Sequence, residues 1–260
     1  MTDPHPFSAV VARLRAAGCV FAEDEARLLL GTTADRAELS TLVDRRAAGE
    51  PLEHLLGWAE FRGLRVAVDP GVFVPRRRTG FLAQQAIDRA RPGAVVLDLC
   101  CGSGAVGLAV AAELSDVELH AADIDPVAVA CARRNTAAVG GRVYAGDLFG
   151  PLPPGLRGRV NVLVANVPYV PSGEIARMPP EARDHEPRTA LDGGPDGLDV
   201  ARRVIAGGPG WLAPGGSLLF ETSEQQAPVA MALVRAGGLV PRLAVDDELG
   251  ATVVVGSFAP

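Results

Sequence analysis

Short apolar runs alternate with amphipathic stretches from about Thr79 onward. The apolar runs predict strands at Val95–Leu99, Val117–Ala121, Val143–Tyr144, Val160–Ala165, Gly216–Glu221, Pro241–Val245 and Thr252–Phe258. The amphipathic stretches predict helices at about Ala105–Leu114, Pro126–Ala138, Asp199–Leu212 and Glu224–Ala236. Because buried strands separated by helices are typical of parallel sheets covered on both faces, we expect an α/β fold with a seven-stranded, mostly parallel sheet. The last two strands lack a clear helix between them, so an antiparallel hairpin is expected at one edge.

In the N-terminal part of the chain, before Thr79, the apolar residues are spaced differently. Apolar residues recur at helical spacing between Phe7 and Leu56, which predicts a small helical module. From Leu64 to Val68 the apolar positions alternate, and Asp69-Pro70-Gly71 then leads into Val72-Phe73-Val74, so we expect a short β-hairpin there. The predicted division of the chain is a helical domain at 1–58, a β-hairpin linker at 59–78 and the α/β domain at 79–260.

Composition and charge narrow the function classes. The chain is 48% hydrophobic and 22% charged, with a formal net charge of -6 and a sequence pI of about 5.3, so no global positive field favours nucleic acid. All 25 basic residues are arginines, which excludes a Schiff-base lysine and a Walker-type phosphate loop. No pair of the 4 cysteines has metal-ligand spacing, so no metal site is expected. No apolar run approaches the roughly 18 residues that a membrane helix needs, and the cytoplasm is the expected location.

A glycine-containing turn follows the first predicted strand of the sheet. Ligands bind open α/β sheets outside the carboxyl ends of the strands, and Asp98 lies at such an end. Gly102 and Gly104 follow it and allow the backbone to approach a ligand closely. The turn has the form Cys100-x-Gly102-x-Gly104 rather than the G-x-G-x-x-G of NAD sites. S-adenosylmethionine is therefore the favoured cofactor, and NAD is the alternative.

Acidic residues end the next two predicted strands. Asp123 ends the second strand, where a carboxylate can bind both hydroxyls of a ribose. Asp147 follows the third strand and can accept a hydrogen bond from an adenine amino group, with Leu148 near the ring. Together with the glycine turn, these residues predict a site for a nucleoside cofactor.

The tetrapeptide Asn166-Val167-Pro168-Tyr169 directly follows the fourth predicted strand. The Asn166 side-chain oxygen and the Val167 carbonyl can accept both N–H groups of a carboxamide, so that its poorly nucleophilic nitrogen can pyramidalise. Pro168 fixes the turn, and Tyr169 offers its face to a planar group. These residues predict methyl transfer to nitrogen. The irregular stretch that continues to Leu198 is rich in proline, glycine and charge, and we expect it to be a lid or a substrate clamp.

These motifs and others along the chain resemble those of the HemK/PrmC family of protein-glutamine methyltransferases. The matching stretches are Gly49-Glu50-Pro51-Leu52 through Leu56-Gly57, Glu60-Phe61-x-Gly63-Leu64, Val74-Pro75-Arg76, Asp98 to Gly104, Ala122 to Asp125, Gly146 to Phe149, Asn166 to Tyr169, Glu186 to Leu198 and Leu218 to Glu221. The resemblance implies a Rossmann-like class I S-adenosylmethionine-dependent methyltransferase domain after a small helical domain and a hairpin linker. It also implies a protein substrate, namely a class I peptide chain release factor that is methylated on the glutamine of its Gly-Gly-Gln loop. Neither a membrane nor nucleic acid is expected as a partner.

The residues themselves and the resemblance together give the expected site. Arg76 is a candidate for binding an acidic partner or the cofactor carboxylate, and Glu186 for shaping the substrate mouth. The expected cofactor-binding residues are Asp98, Cys100, Gly102, Gly104, Asp123, Asp147, Leu148 and Asn166. The expected catalytic residues are Asn166, Val167, Pro168 and Tyr169.

The chain departs from the family pattern at three places. Val167 replaces the second residue of Asn-Pro-Pro-Tyr, which contributes only its carbonyl. The stretch from Pro75 to Gly80 replaces Pro-Arg-Pro-(Glu/Asp)-Thr-Glu, so that Arg77 and Arg78 are gained and two acids are lost. Cys100 stands in place of a glycine. The chain therefore looks like a divergent paralogue of this family, whose target need not be a release factor.

Three alternatives remain open at this point. A small-molecule N-methyltransferase is compatible with the departures near the site entrance. Adenine amino-group methylation of DNA or RNA uses a related motif, but the acidic charge balance disfavours it because phosphate contacts supply much of that affinity. A cofactor-binding protein without activity is disfavoured by the intact Asn166 and Tyr169.

Overall fold

A seven-stranded sheet lies at the centre of the structure, a computed structural model that describes residues 6–258. The ends of the predicted domains, at 1–5 and 259–260, lie outside the described residues. The strands are β1 Trp58–Phe61, β2 Leu64–Ala67, β3 Val95–Leu99, β4 Glu118–Asp123, β5 Arg142–Ala145, β6 Val160–Ala165, β7 Leu212–Thr222, β8 Val240–Asp246 and β9 Ala251–Ser257. The α-helices are α1 Pro6–Ala16, α2 Ala22–Thr32, α3 Arg36–Ala47, α4 Leu52–Leu56, α5 Thr79–Ile87, α6 Ala105–Glu113, α7 Pro126–Thr136, α8 Pro180–His185, α9 Arg188–Leu191, α10 Asp199–Gly207 and α11 Ala227–Ala236.

The order of the strands places a switch point in the middle of the sheet. Within the described residues the order is β5-β4-β3-β6-β7-β9-β8, with parallel pairing from β5 to β7. β9 pairs antiparallel with both β7 and β8, so the predicted antiparallel edge is confirmed. The chain builds outward from β3 through β4 and β5 and then returns to β6 on the other side of β3. Open α/β sheets bind ligands at this kind of reversal.

Helices cover both faces of the sheet because the strand residues alternate in direction. Val96 of β3 and Val162 of β6 belong to the apolar core formed with α5 and α6. Their neighbours Leu97 and Leu163 belong to the core formed with α10 and α11 on the opposite face. Since strands buried on both faces carry near-continuous apolar sequence, the pattern that predicted them is explained.

The N-terminal helices α1 to α4 have their own apolar core. Leu14 and Leu29 are fully buried within it. Asp35 caps α3 by accepting hydrogen bonds from the backbone N–H groups of Ala37 and Glu38. Helices are thus found where helical periodicity predicted them, whereas the domain boundaries at 58 and 78 stay a prediction.

The β-hairpin lies one strand earlier than the sequence analysis placed it. β2 pairs antiparallel with β1, and the turn between them is Arg62-Gly63, in which both residues have positive φ angles of 51° and 77°. Two-residue hairpin turns of type I′ need this conformation. Val72-Phe73-Val74, the expected second strand, forms no strand; Val72 and Val74 are instead buried against Ala128 and Cys131 of α7. Alternating apolar residues were therefore buried by a helix rather than by a strand partner.

Two other boundaries differ from expectation. Helix α10 ends at Gly207 rather than near Leu212, because Gly208-Pro209-Gly210 forms a short 3-10 turn and β7 begins at Leu212. The stretch from Pro168 to Leu198 contains the short helices α8 and α9, and an isolated parallel β-bridge joins Val170 to Asp192.

No helix within residues 6–258 has the length and apolar character needed to cross a bilayer. The same residues hold no group of three or more His, Cys, Asp or Glu side chains arranged to bind a metal ion.

Candidate active site

A cavity of about 550 Å³ lies at the carboxyl ends of β3, β4 and β6. The strand order reverses between β3 and β6, so the cavity occupies the switch point of the sheet. Most predicted site residues line it, namely Arg76, Asp98, Cys100, Gly102, Asp123, Asp147, Leu148, Asn166, Val167, Pro168 and Tyr169. Gly104 and Glu186 are not part of its lining. The structure therefore brings together residues that are up to about ninety positions apart in the chain.

Asp98 is buried at the end of β3 with one oxygen bonded and the other free. Its Oδ2 accepts a hydrogen bond of 2.8 Å from the backbone N–H of Gly107 on α6. Its Oδ1 is buried and has no hydrogen-bond partner among the described residues. Burial raises the pKa of Asp98 to about 7, the Gly107 N–H opposes that shift, and the charge of Asp123 adds to it. Asp98 thus ties the end of β3 to α6, and one of its carboxylate oxygens is left unpaired by the described residues.

The turn after Asp98 needs left-handed backbone at several positions. Cys100, Gly102 and Gly104 have φ angles of 53°, 54° and 78°. For a residue with a side chain, this conformation costs roughly 1–2 kcal/mol, which explains why the family pattern has glycine where Cys100 stands. The Cys100 side chain packs against the apolar core under α10, and burial raises the pKa of its thiol, so it is a small apolar group here. Gly104 allows the turn to pack closely against α7, because a Cβ at this position would lie 3.2 Å from the Cβ of Ala132.

Asp123 holds the glycine turn against the end of β4. Its Oδ2 accepts a hydrogen bond of 2.8 Å from the Gly102 N–H, and its Oδ1 accepts one of 2.9 Å from the Asp125 N–H. Each carboxylate oxygen has two lone pairs, so capacity for a ligand hydroxyl remains. Burial raises the pKa of Asp123, while these backbone donors lower it. Asp125 caps α7 by accepting a hydrogen bond from Val127 N–H.

Asp147 and Leu148 lie on the rim of the cavity beyond β5. The exposed carboxylate of Asp147 is paired with Arg203 of α10, which also lines the cavity. Leu148 is buried and has a positive φ of 47°, so its side chain is turned into the cavity wall. Sequence analysis missed Arg203, because it lies 56 residues after Asp147 on a different element and no local pattern connects the two.

Asn166 and Val167 present two adjacent acceptors to the cavity. The Oδ1 of Asn166 is buried without a hydrogen-bond partner in the described part of the chain. The Val167 carbonyl likewise accepts no hydrogen bond from residues 6–258. Pro168 is buried next to them and has no N–H to donate. This strand end thus offers two oxygen acceptors that no residue of the described chain satisfies.

Tyr169 is bonded to residues that sequence analysis did not assign to the site. Its hydroxyl donates a hydrogen bond of 2.7 Å to Glu221 and accepts one of 2.7 Å from Arg78. Its backbone carbonyl accepts a hydrogen bond of 2.9 Å from the Gln226 side chain. Burial and the Glu221 charge raise the pKa of Tyr169, while Arg78 lowers it, so the phenol keeps its proton. Glu221 could have been found, because it ends a predicted strand at the same edge of the sheet.

Arg76 lines the cavity, and Glu186 lies behind it. The buried carboxylate of Glu186 accepts hydrogen bonds from the Arg76 guanidinium and from the Val74 N–H at 3.1 Å. Arg76 also stacks on Phe73, with its guanidinium carbon 4.9 Å from the ring centroid. Glu186 therefore ties the loop after β6 to the segment before α5 and orients Arg76. A direct contact of Glu186 with substrate stays a prediction.

Sequence comparisons identify similar proteins. A family model described as the methyltransferase small domain matches residues 63–178. The release factor glutamine methyltransferase of Geobacter sulfurreducens is 39% identical over 217 residues, which cover 83% of this chain and 75% of that protein. The release factor glutamine methyltransferase of Mycolicibacterium smegmatis is 40% identical over 206 residues, which cover 77% of this chain and 73% of that protein.

Solved structures show the same fold at low sequence identity. A methyltransferase from Pyrococcus furiosus superposes with a TM-score of 0.58 at 16% identity, covering 85% of this chain and 100% of that chain. A 16S rRNA methyltransferase of T. Thermophilus, solved in complex with AdoMet and guanosine, has a TM-score of 0.55 at 19% identity and covers 77% of this chain and 49% of its own. At such identities the likeness shows the fold alone, and it confirms the predicted α/β methyltransferase architecture.

Proposed function

Since the chain belongs to the family of release factor glutamine methyltransferases, we propose that it methylates the side-chain amide of a glutamine in a protein. S-adenosylmethionine is the methyl donor. A class I peptide chain release factor, with its Gly-Gly-Gln loop, is the first candidate acceptor, and the cytoplasm is the proposed location.

The observation that carries the proposal is the pair of free acceptors on Asn166 and Val167. A buried oxygen without a donor costs about 1–3 kcal/mol, so a ligand that brings donors is favoured at this point. A glutamine carboxamide has two N–H groups on one nitrogen, which can satisfy both acceptors at once. A hydroxyl or a secondary amine supplies only one donor, so the site favours a nitrogen that carries two N–H groups, as in a primary amide.

The same two acceptors favour reaction at nitrogen. The lone pair of an amide nitrogen is delocalised into its carbonyl, and it becomes available as the nitrogen pyramidalises. Fixed acceptors on both N–H groups stabilise that geometry without reorganising during the reaction. Tyr169 packs its ring face on the planar group, and most of the remaining acceleration comes from aligning nitrogen with the methyl group.

The part of the cavity at the ends of β3, β4 and β5 fits S-adenosylmethionine, which when bound supplies an electrophilic methyl group on a sulfonium sulfur. The free Oδ1 of Asp98 suits a cationic donor of the cofactor. Gly102 lines the cavity and has open space where a side chain would stand, so its backbone can approach the cofactor. Asp123 would bind the ribose hydroxyls, and Asp147 the adenine amino group.

Label transfer tests this function. The acceptor is a purified class I release factor, and the donor is S-adenosylmethionine with tritium in its methyl group. Wild type should label the acceptor, whereas Asn166→Ala should lower kcat by about 100- to 1,000-fold, the effect of removing one preorganised polar group from an active site. Gln225→Ala, which removes an exposed amide, is the control and should keep full activity.

The outcomes separate the parts of the proposal. Label on a release factor whose loop glutamine is replaced by glutamate would contradict glutamine as the target. Full activity of Asn166→Ala would contradict the assigned site. No label on any release factor, with cofactor binding seen by calorimetry, would exclude the release factor as the acceptor.

A further inference from the structure

Tyr169 is held at its hydroxyl by a closed triangle of three side chains. The hydroxyl donates to Glu221 Oε1 at 2.7 Å and accepts from Arg78 Nη2 at 2.7 Å, and Arg78 Nε donates to the same Glu221 oxygen at 2.9 Å. The proton and an acceptor site of the phenol are both used. The hydroxyl is therefore engaged by the protein, and the ring face is what Tyr169 can offer to a substrate.

Tyr169 is held at its backbone by Gln226. One N–H of the Gln226 amide donates to Tyr169 O at 2.9 Å, and the other donates to Asp196 O at 2.8 Å. The Gln226 oxygen accepts hydrogen bonds from the hydroxyls of Thr222 and Ser223, so its amide orientation is fixed from both ends. The tyrosine is thus anchored to the start of α11 as well as to β7.

The pairing of Arg78 with Glu221 is a positioning device rather than a source of stability. The Glu221 side chain is 2% exposed, and Arg78 is 47% exposed. Desolvating a carboxylate this deeply offsets most of what its partner contributes, so such pairs add little net stability. They do fix the relative positions of the elements they join. Here those elements are the segment before α5, the end of β6 and the end of β7.

Arg78 stands at one of the positions where the chain departs from the family pattern. The family pattern has an acid at the position of Arg78, and an acid there would place a second carboxylate beside Glu221 and Tyr169. The arginine converts that neighbourhood into a salt bridge and a hydrogen bond to the phenol. The replacement of that acid by Arg78 therefore creates two contacts in the structure, one with Glu221 and one with the Tyr169 hydroxyl.

We propose that Arg78, Glu221 and Gln226 are positioning residues for methyl transfer, which hold the Tyr169 ring in the orientation that aligns the target amide. The inference rests on the proposed function, because it requires the amide to lie on the Tyr169 ring. We call these three residues the tyrosine clamp. Since the clamp acts on the alignment of the amide, its loss should lower kcat more than it raises KM for the acceptor.

A double-mutant cycle tests the clamp. In the labelled-methyl assay with a purified release factor, Tyr169→Phe retains the ring but loses the tether, and kcat should fall on the order of 10- to 100-fold. Arg78→Met should cause a similar loss. In the Tyr169→Phe background, Arg78→Met should cause little further loss, because its effect on kcat passes through the hydroxyl. Arg77→Met removes the same charge from the exposed neighbour and should leave kcat unchanged.

The cycle distinguishes positioning from support of the fold. If Arg78 only stabilised buried Glu221, Arg78→Met would lower kcat by the same factor in both backgrounds, and the proposal would be overturned. Full kcat of Tyr169→Phe would also overturn the proposal. This variant keeps the Arg78–Glu221 pair, so it still gives a test if Arg78→Met fails to fold. If Asn166→Ala abolishes transfer but Tyr169→Phe does not lower kcat, the clamp fails and the proposed function stands. If Asn166→Ala keeps full activity, the proposed function fails, and the clamp fails with it.

Discussion

Oδ1 of Asp98 and Oδ1 of Asn166 are buried oxygens without donors in the described part of the chain, and both residues line the cavity. Buried polar atoms in folded proteins are almost always paired, so such atoms in a cavity wall indicate where a ligand supplies the missing partner. Asp98 belongs to β3 and Asn166 directly follows the neighbouring strand β6, whose parallel register brings Leu99 opposite Ala165. The two unpaired oxygens are therefore positioned by neighbouring strands of one sheet, next to each other at its carboxyl edge.

The raised pKa of Asp98 predicts a dependence of stability on pH. Burial raises this pKa from 3.8 to about 7, so the folded protein binds the proton more tightly than the unfolded chain. The contribution of Asp98 to stability is therefore full below about pH 4 and is lost as the pH rises through about 7. Urea unfolding of cofactor-free Asp98→Asn should show a gain in the free energy of unfolding relative to wild type that grows across this window to at most about 4 kcal/mol. A difference between the two proteins that is constant with pH would contradict the assignment.

At the scale of elements, the loop between β6 and α10 is folded around Tyr169. Gly197 in this loop has a φ of 78°, and a Cβ there would lie 2.3 Å from Tyr169 O and 2.2 Å from Gln226 Nε2. The loop backbone thus passes directly over the hydrogen bond that anchors the tyrosine. Only glycine allows that approach.

Gly197→Ala should therefore disturb the acceptor end of the site. We expect kcat for labelled methyl transfer to fall by on the order of 100-fold, because displacement of Tyr169 by a fraction of an ångström misaligns the acceptor. Cofactor affinity measured by calorimetry should change little. Gly173→Ala in the same loop, where a Cβ would meet no atom within 4 Å, is the control. Equal activities of the two variants would show that the loop does not position the tyrosine.

The elements that the sequence predicted are those whose signals are local. Apolar runs identified the strands of the sheet, and the missing helix before β9 predicted the antiparallel edge. The hairpin was misplaced because Val72 and Val74 alternate like a strand but pack on α7. The strand ends predicted Asn166 and Asp98 as site residues, since carboxyl ends of parallel strands share an edge. The contact of Arg78 with Glu221 spans 143 positions, and no local pattern specifies which charged residues meet at that distance.

At the scale of the whole molecule, a buried arginine joins the N-terminal helices to the loop over the site. The Arg46 side chain is 9% exposed and donates hydrogen bonds to Glu25 of α2 at 2.6 Å and 3.1 Å. It also pairs with Glu181 of α8 and donates to Glu50 O at 3.1 Å. One side chain on α3 thus connects α2, α8 and the end of its own helix.

Removing this arginine should destabilise the protein strongly. Arg46→Met leaves the buried Glu25 carboxylate without its partner, and we expect the free energy of unfolding to fall by about 3–5 kcal/mol. Arg45→Met is the matched control, because Arg45 is half-exposed and its pair with Glu50 should contribute about 1 kcal/mol or less. Urea denaturation monitored by circular dichroism measures both. Losses of equal size would contradict the assigned role of Arg46.

The central claim is that the carboxamide nitrogen of a glutamine is the atom that receives the methyl group. The most direct measurement is tandem mass spectrometry of a release factor after reaction with the wild-type protein and S-adenosylmethionine, with Asn166→Ala as the paired control. The account predicts one added methyl group, located on the side-chain amide of the Gly-Gly-Gln glutamine and missing in the control. A methyl group on another residue or atom, or the same modification by Asn166→Ala, would contradict it.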